Sequence, residues 1–248
     1  MGGVLMSRTA SYYDLRDALA DPGCPVCRLM ARSTERYLDG LLWESVNDPG
    51  VRDKLRQAQG FCHEHAWQLN RAGASLGVAI LMHDVLGSVL GAMESARFQA
   101  LPAESLRRAQ ESLDRSQPAA ATADLVARLS AKAECPACIQ VGQMEEIYLS
   151  TLNEQLLGED GLLAAYEASD GLCLPHFRQT LACLRDEAVF QALLAAQRTL
   201  WARLVEHLSE FIRKNDARFR DEPWGDESDA WLRALGALTG ARLDAGRA

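Results

Sequence analysis

The sequence predicts an all-α protein made of an internally duplicated helical unit, and three observations predict it. No stretch alternates β-branched or aromatic residues over a useful length, as a half-buried strand would. Ala, Leu, Arg and Glu recur instead at three- and four-residue intervals, the spacing of one helix face. Finally, "GCPVCRLM" at 23–30 and "GFCHEHAW" at 60–67 return as "ECPACIQV" at 134–141 and "GLCLPHFR" at 171–178.

The return is in register. Cys24-x2-Cys27 is followed by 34 residues and Cys62-x2-His65, and Cys135-x2-Cys138 by 34 residues and Cys173-x2-His176, so every position moves by 111. Laying 24–69 over 135–180 without a gap gives 12 identities in 46, and all four Cys and His positions are among them. A fixed long period is the mark of an internal repeat. The two copies have drifted apart elsewhere, which makes the shared residues the ones the common design keeps.

The elements follow in order. "SRTASYYDLRDALAD" opens on cap-type residues, carries Tyr13, Leu15 and Leu19 at helical spacing, and stops at Pro22-Gly23. Cys24 caps the next helix, because proline fits the first helical position just after a cap. "NDPG" at 47–50 is a turn, "VRDKLRQAQ" a short helix ended by Gly60, and another helix starts near Cys62. An apolar helix is expected over 74–101 and "ESLRRAQESLDRS" follows it; 117–134 begins as a linker and leads into the second copy. That copy repeats the plan with a helix from Cys135, a turn at "GEDG", a short helix before Gly171, a helix from Cys173 and a long helix over about 186–214. The tail ends in an amphipathic helix without a counterpart in the first copy. The expected division is therefore 1–116, 117–214 and a C-terminal 215–248, with two pseudo-twofold-related halves packed as one globular unit.

Composition narrows the function. At 248 residues, with 48% hydrophobic and 24% charged residues, the chain is an ordinary globular sequence that needs no disulfides for its core. A net charge of −8 argues against a nucleic-acid binder, since phosphate contacts need a basic face. The N-terminus lacks the charged and apolar regions of a signal peptide, and no apolar run is expected to reach a membrane span. The reading is a cytoplasmic protein with no membrane and no nucleic acid as partner. Seven cysteines in that compartment suggest metal or redox chemistry before disulfides.

In each half, both pairs are i, i+3 residues in the first turn of a helix, so two helix starts can converge on one point. Free N–H groups and dipole ends at helix N-termini favour thiolate, the metal-binding form. The expectation is one closed Cys3His zinc site per half: Cys24, Cys27, Cys62 and His65 in the first, Cys135, Cys138, Cys173 and His176 in the second, two zinc ions per chain. Iron–sulfur ligation and a plain dithiol remain alternatives. His63 and Glu64 stand beside the first-site ligands where an acid–base group would, yet Leu174 and Pro175 occupy the matching positions, so both are read as solvent-facing first-turn residues. Cys183 faces Ala72 in the repeat and is read as a small buried residue, and His83 and His207 as core-edge residues.

With the paired CPxC motifs, "GFCHEH" and "GLCLPH", and the tail "RFRDEPWGDESDAWLRA", the chain resembles a bacterial domain family of unknown function that carries paired CPxC and GxCxxH motifs. The resemblance spans most of the chain and implies that the same eight residues match the family's motif positions; it implies no activity. The functional expectation is a non-enzymatic, zinc-stabilised helical scaffold that binds another protein. The alternatives are a thiol or zinc redox sensor and a metalloenzyme that uses the first site with His63 and Glu64.

Overall fold

A computed structural model describes residues 8–94, 96–97, 122–219 and 221–241, and among these every regular element is helical. They are α1 (Ala10–Leu19), α2 (Pro25–Glu44), α3 (Pro49–Gln57), α4 (His63–Gln68), α5 (Ser75–Glu94), α6 (Ala123–Arg128), α7 (Pro136–Gln155), α8 (Leu163–Glu167), α9 (Leu174–Cys183), α10 (Glu187–Lys214) and α11 (Ala230–Thr239), with a 3-10 turn at Ala217–Phe219. The all-α expectation is met. The segment "ESLRRAQESLDRS" and the boundary expected at 116/117 lie outside the described residues.

Local chemistry sets the ends. Proline opens α2, α3 and α7 at the first helical position, where its missing N–H costs nothing. Asp48 accepts from Val51 N at 2.8 Å and caps α3; Asp186 accepts from Val189 N at 3.1 Å and caps α10. At the end of α3, Gln59 takes the left-handed conformation and Gly60 N donates to Leu55 O at 2.8 Å. Gln59 N donates to Arg56 O at 3.2 Å, completing a Schellman stop that leads the chain towards Cys62.

The chain divides into two compact units, Met1–Glu35 with Val141–Ala248, and Arg36–Gln140. Neither coincides with a repeat: the first joins the start of one copy to most of the other, and both boundaries fall inside helices, α2 and α7.

In the first unit, Tyr12, Leu15, Val26, Leu29, Leu152, Leu156, Leu162, Tyr166, Leu172 and Leu193 form one buried cluster. Fully burying a side chain of this size stabilises by about 1.5–3 kcal/mol. In the second unit, Leu41, Leu55, Leu81 and Val85 pack together, and Leu38, Leu69 and Ala137 make a second cluster. The matched leucines of the repeat, Leu38 with Leu149 and Leu41 with Leu152, are all buried.

α5 is two-faced. Leu81 and Val85 are buried, whereas Leu76, Leu86, Leu90 and Met93 are at least half exposed. Its 20 residues include only Asp84 and Glu94 as charges, and with a mean hydropathy of 1.7 over the best window it is long and apolar enough, by length and composition, to cross a membrane. This corrects the expectation that no apolar run reaches that length: His83 and Asp84 interrupt the segment in sequence, and Asp84 pairs with Arg56 Nη1 at 2.6 Å.

Candidate metal centres

Two groups of four ligand atoms each lie within 4.8 Å of one another, and each can hold a metal ion. The first is Cys24, Cys27, Cys173 and His176; the second is Cys62, His65, Cys135 and Cys138. The structure therefore brings all eight predicted residues into two Cys3His clusters, but it corrects their grouping. The expected sets, Cys24 and Cys27 with Cys62 and His65, and Cys135 and Cys138 with Cys173 and His176, do not form. Each cluster takes the CPxC pair of one repeat and the CxxH pair of the other. The reason is compositional: both copies offer the same two pairs at the same spacing, so exchange between copies preserves every ligand set.

The first cluster, site A, lies wholly within the unit formed by Met1–Glu35 and Val141–Ala248. Cys24 and Cys27 stand at the start of α2, Cys173 caps α9, and His176 lies in the first turn of α9. His176 Nδ1 is 3.0 Å from Cys173 Sγ and 3.4 Å from both Cys24 Sγ and Cys27 Sγ, and Cys27 and Cys173 sulfurs are 3.7 Å apart. The second, site B, lies wholly within Arg36–Gln140. Cys62 caps α4, His65 is in its first turn, and Cys135 and Cys138 open α7. His65 Nδ1 is 3.3 Å from Cys62 Sγ and Cys138 Sγ and 3.7 Å from Cys135 Sγ, and the Cys62 and Cys138 sulfurs are 3.6 Å apart.

These separations fit a tetrahedral ion. With metal–sulfur distances of about 2.3 Å and metal–nitrogen distances of about 2.0–2.1 Å, a tetrahedron places sulfurs about 3.8 Å apart and sulfur and nitrogen about 3.5 Å apart. They do not fit disulfides, whose sulfurs approach to about 2.05 Å, and all seven cysteines are free.

Electrostatics agree in site A. Burial pushes the Cys24 thiol well above its usual value. Cys27 is held well below it by hydrogen bonds from Cys173 and Cys24. Burial pushes His176 down, but Cys24, Cys27 and Glu145 outweigh it and carry the imidazole up to about 11. In site B, burial, with Cys62 next, pushes Cys138 up to about 12, and burial lowers His65. Metal binding displaces the thiol protons.

Residues outside the motifs build the surroundings of site A. His176 Nε2 donates to Glu145 Oε1 at 2.9 Å, which fixes the tautomer that leaves Nδ1 free for a metal. Gly171 has φ +71, and a Cβ there would meet Leu200 Cδ1 at 2.7 Å and Gln197 Oε1 at 2.9 Å. That backbone explains the glycine of GxCxxH, as does φ +96 at Gly60 in the other copy. Gln197, fully buried on α10, accepts from Leu172 N at 3.0 Å and donates to Leu172 O at 3.2 Å. Tyr166 hydroxyl donates to Gln197 as well. The tail returns here: Ala241 N donates to Cys27 Sγ at 3.3 Å.

His63 and Glu64 are exposed, with His63 edge-on to Trp67 at 6.4 Å between ring centroids. Cys183, expected buried, is exposed at the end of α9, where no cluster residue needs it. His83 is exposed as well, and His207 is half-buried beside Arg233 Nη2 at 2.9 Å.

Fold and site thus define an all-α protein with two Cys3His clusters built from exchanged motif pairs. Over residues 6–244 the chain matches the family of unknown function DUF6062, and it belongs to that family. It is also similar to an uncharacterised 23.9 kDa protein in the xynA 3' region of Caldicellulosiruptor sp. (strain Rt8B.4), at 24% identity over 220 residues, covering 88% of this chain and 96% of that one. No solved structure matches.

Proposed function

We propose that each cluster binds one zinc ion and that the protein is a non-enzymatic, zinc-stabilised helical scaffold that binds another protein in the cytoplasm. The observation that carries the reading is the closed donor set: three sulfurs and one nitrogen within 4.8 Å of one another in both clusters, with no fifth donor group required. Three thiolates and a neutral imidazole leave a bound Zn²⁺ with a net charge of −1, which helix N-termini offset. Seven free cysteines suit a reducing compartment. The exposed apolar side chains of α5 supply surface for a protein partner. Acid–base roles for His63 and Glu64 draw no support from their exposed positions.

Elemental analysis of protein purified reduced and without added metal tests the zinc reading. Two zinc ions per chain are expected. No metal, or iron with visible absorbance, would replace it with dithiol or iron–sulfur chemistry.

A further inference from the structure

The two clusters share a ligand set and differ in everything around it. In site A, Cys24, Cys27, Cys173 and His176 are each at most 9% exposed. Its imidazole is held by Glu145 and one sulfur accepts from the Ala241 N–H. In site B only His65 is buried; Cys62 and Cys135 are half-buried and Cys138 is exposed. The position 111 residues before Glu145 is Thr34, which has no carboxylate and whose hydroxyl donates to Met30 O at 2.9 Å.

Oxidation of cysteine follows thiolate character and access. A zinc-bound thiolate is already deprotonated, so access decides between the sites. Cys138 is the most exposed residue of site B, and its sulfur stands 3.6 Å from Cys62 Sγ. We propose that site B is an oxidative modification site: a hydroperoxide converts Cys138 and Cys62 to a disulfide and releases the site B zinc, while site A keeps its metal. The proposal rests on the zinc reading of both clusters.

The chemistry balances. With hydrogen peroxide as the oxidant, the Cys138 thiolate attacks one peroxide oxygen, the O–O bond breaks, and sulfenic acid and hydroxide form. The Cys62 thiolate then attacks the Cys138 sulfur, an S–S bond forms, the S–O bond breaks, and a second hydroxide leaves. Two sulfurs have given up two electrons, one peroxide has become two hydroxides that the buffer acid protonates to water, and zinc retains only Cys135 and His65. Two ligands do not hold a structural zinc, so Zn²⁺ departs. A dithiol reductant and zinc reverse the change.

The test uses the zinc-loaded full chain carrying Cys183→Ala, which removes the exposed thiol outside both clusters. Metal content is measured first, hydrogen peroxide is added, zinc release is followed with a chromophoric chelator, and disulfides are mapped by peptide mass spectrometry. One zinc per chain should leave at least about tenfold faster than the other, as access-controlled oxidation requires, with a Cys62–Cys138 disulfide and Cys24, Cys27 and Cys173 still reduced. Two zinc ions leaving at one rate, site A oxidised first, or a disulfide between another pair would overturn this proposal alone. Absence of zinc before peroxide is added would overturn the zinc reading and this proposal with it.

Discussion

The Glu145 carboxylate accepts from His176 Nε2 at 2.9 Å, and that single bond orients the imidazole so that Nδ1 faces three sulfurs. The hydrogen bond from His176 also holds the Glu145 carboxyl below the usual carboxylate range. Replacing Glu145 by Ala is expected to weaken zinc at site A about 10- to 100-fold, the usual cost of losing such a carboxylate. Site B should bind as before. Competition with a chromophoric chelator, titrated to release each ion in turn, measures both.

Gln197 clamps the backbone next to Cys173 from both sides through Leu172 N and O. In Gln197→Leu, Leu172 O and the Tyr166 hydroxyl lose their Gln197 partner while Leu172 N keeps its 3.3 Å bond to Tyr166 Oη, and each group left unpaired costs about 1–3 kcal/mol. Urea denaturation of the zinc-loaded protein should show a loss in that range or above, with the metal content still two per chain before unfolding.

Glu227, 7% exposed, receives Lys214 Nζ at 2.6 Å and Gly225 N at 2.9 Å, and Lys214 foremost lowers its carboxyl to about 2. A carboxylate depressed on folding stabilises above its unfolded value of about 4.3, and the gain disappears as pH falls towards the folded value. The stability gap between the parent and Glu227→Gln should therefore be full at pH about 6 and narrower at pH about 3.5. Denaturation of both proteins at the two pH values gives the comparison; an equal gap at both would count against the pairing.

His63→Ala with Glu64→Ala should leave both metals in place and stability within about 0.5 kcal/mol of the parent, as for exposed residues generally. Elemental analysis and a urea melt check it, and loss of the site B metal would show that these exposed side chains support it.

Much of this was legible in the chain itself. Helix starts at Pro25 and Pro136 followed from proline's fit to the first turn, whereas Pro49, expected in the turn at 47–50, opens α3 instead; the eight ligand residues followed from two spacings that agree. The grouping of ligands did not, because identical pairs in both copies make exchange invisible in one dimension. Glu145 and Gln197 went unnoticed for a different reason. Their matching positions, Thr34 and Leu86, share no chemistry with them, so the repeat gave no signal. Ala241 contributes only a backbone N–H, which any residue but proline carries. Cys183 was misplaced because a lone cysteine on a helix reads as a small core residue until its neighbours are known.

The exchange of motif pairs between the repeats is tested most directly by metal content in two double variants. Cys24→Ser with Cys62→Ser removes one ligand from each cluster, whereas Cys24→Ser with Cys173→Ser removes two from site A and none from site B. After dialysis, the first should retain no stoichiometric zinc and the second one zinc per chain. One zinc in the first and none in the second would contradict the exchange and restore pairing within each repeat.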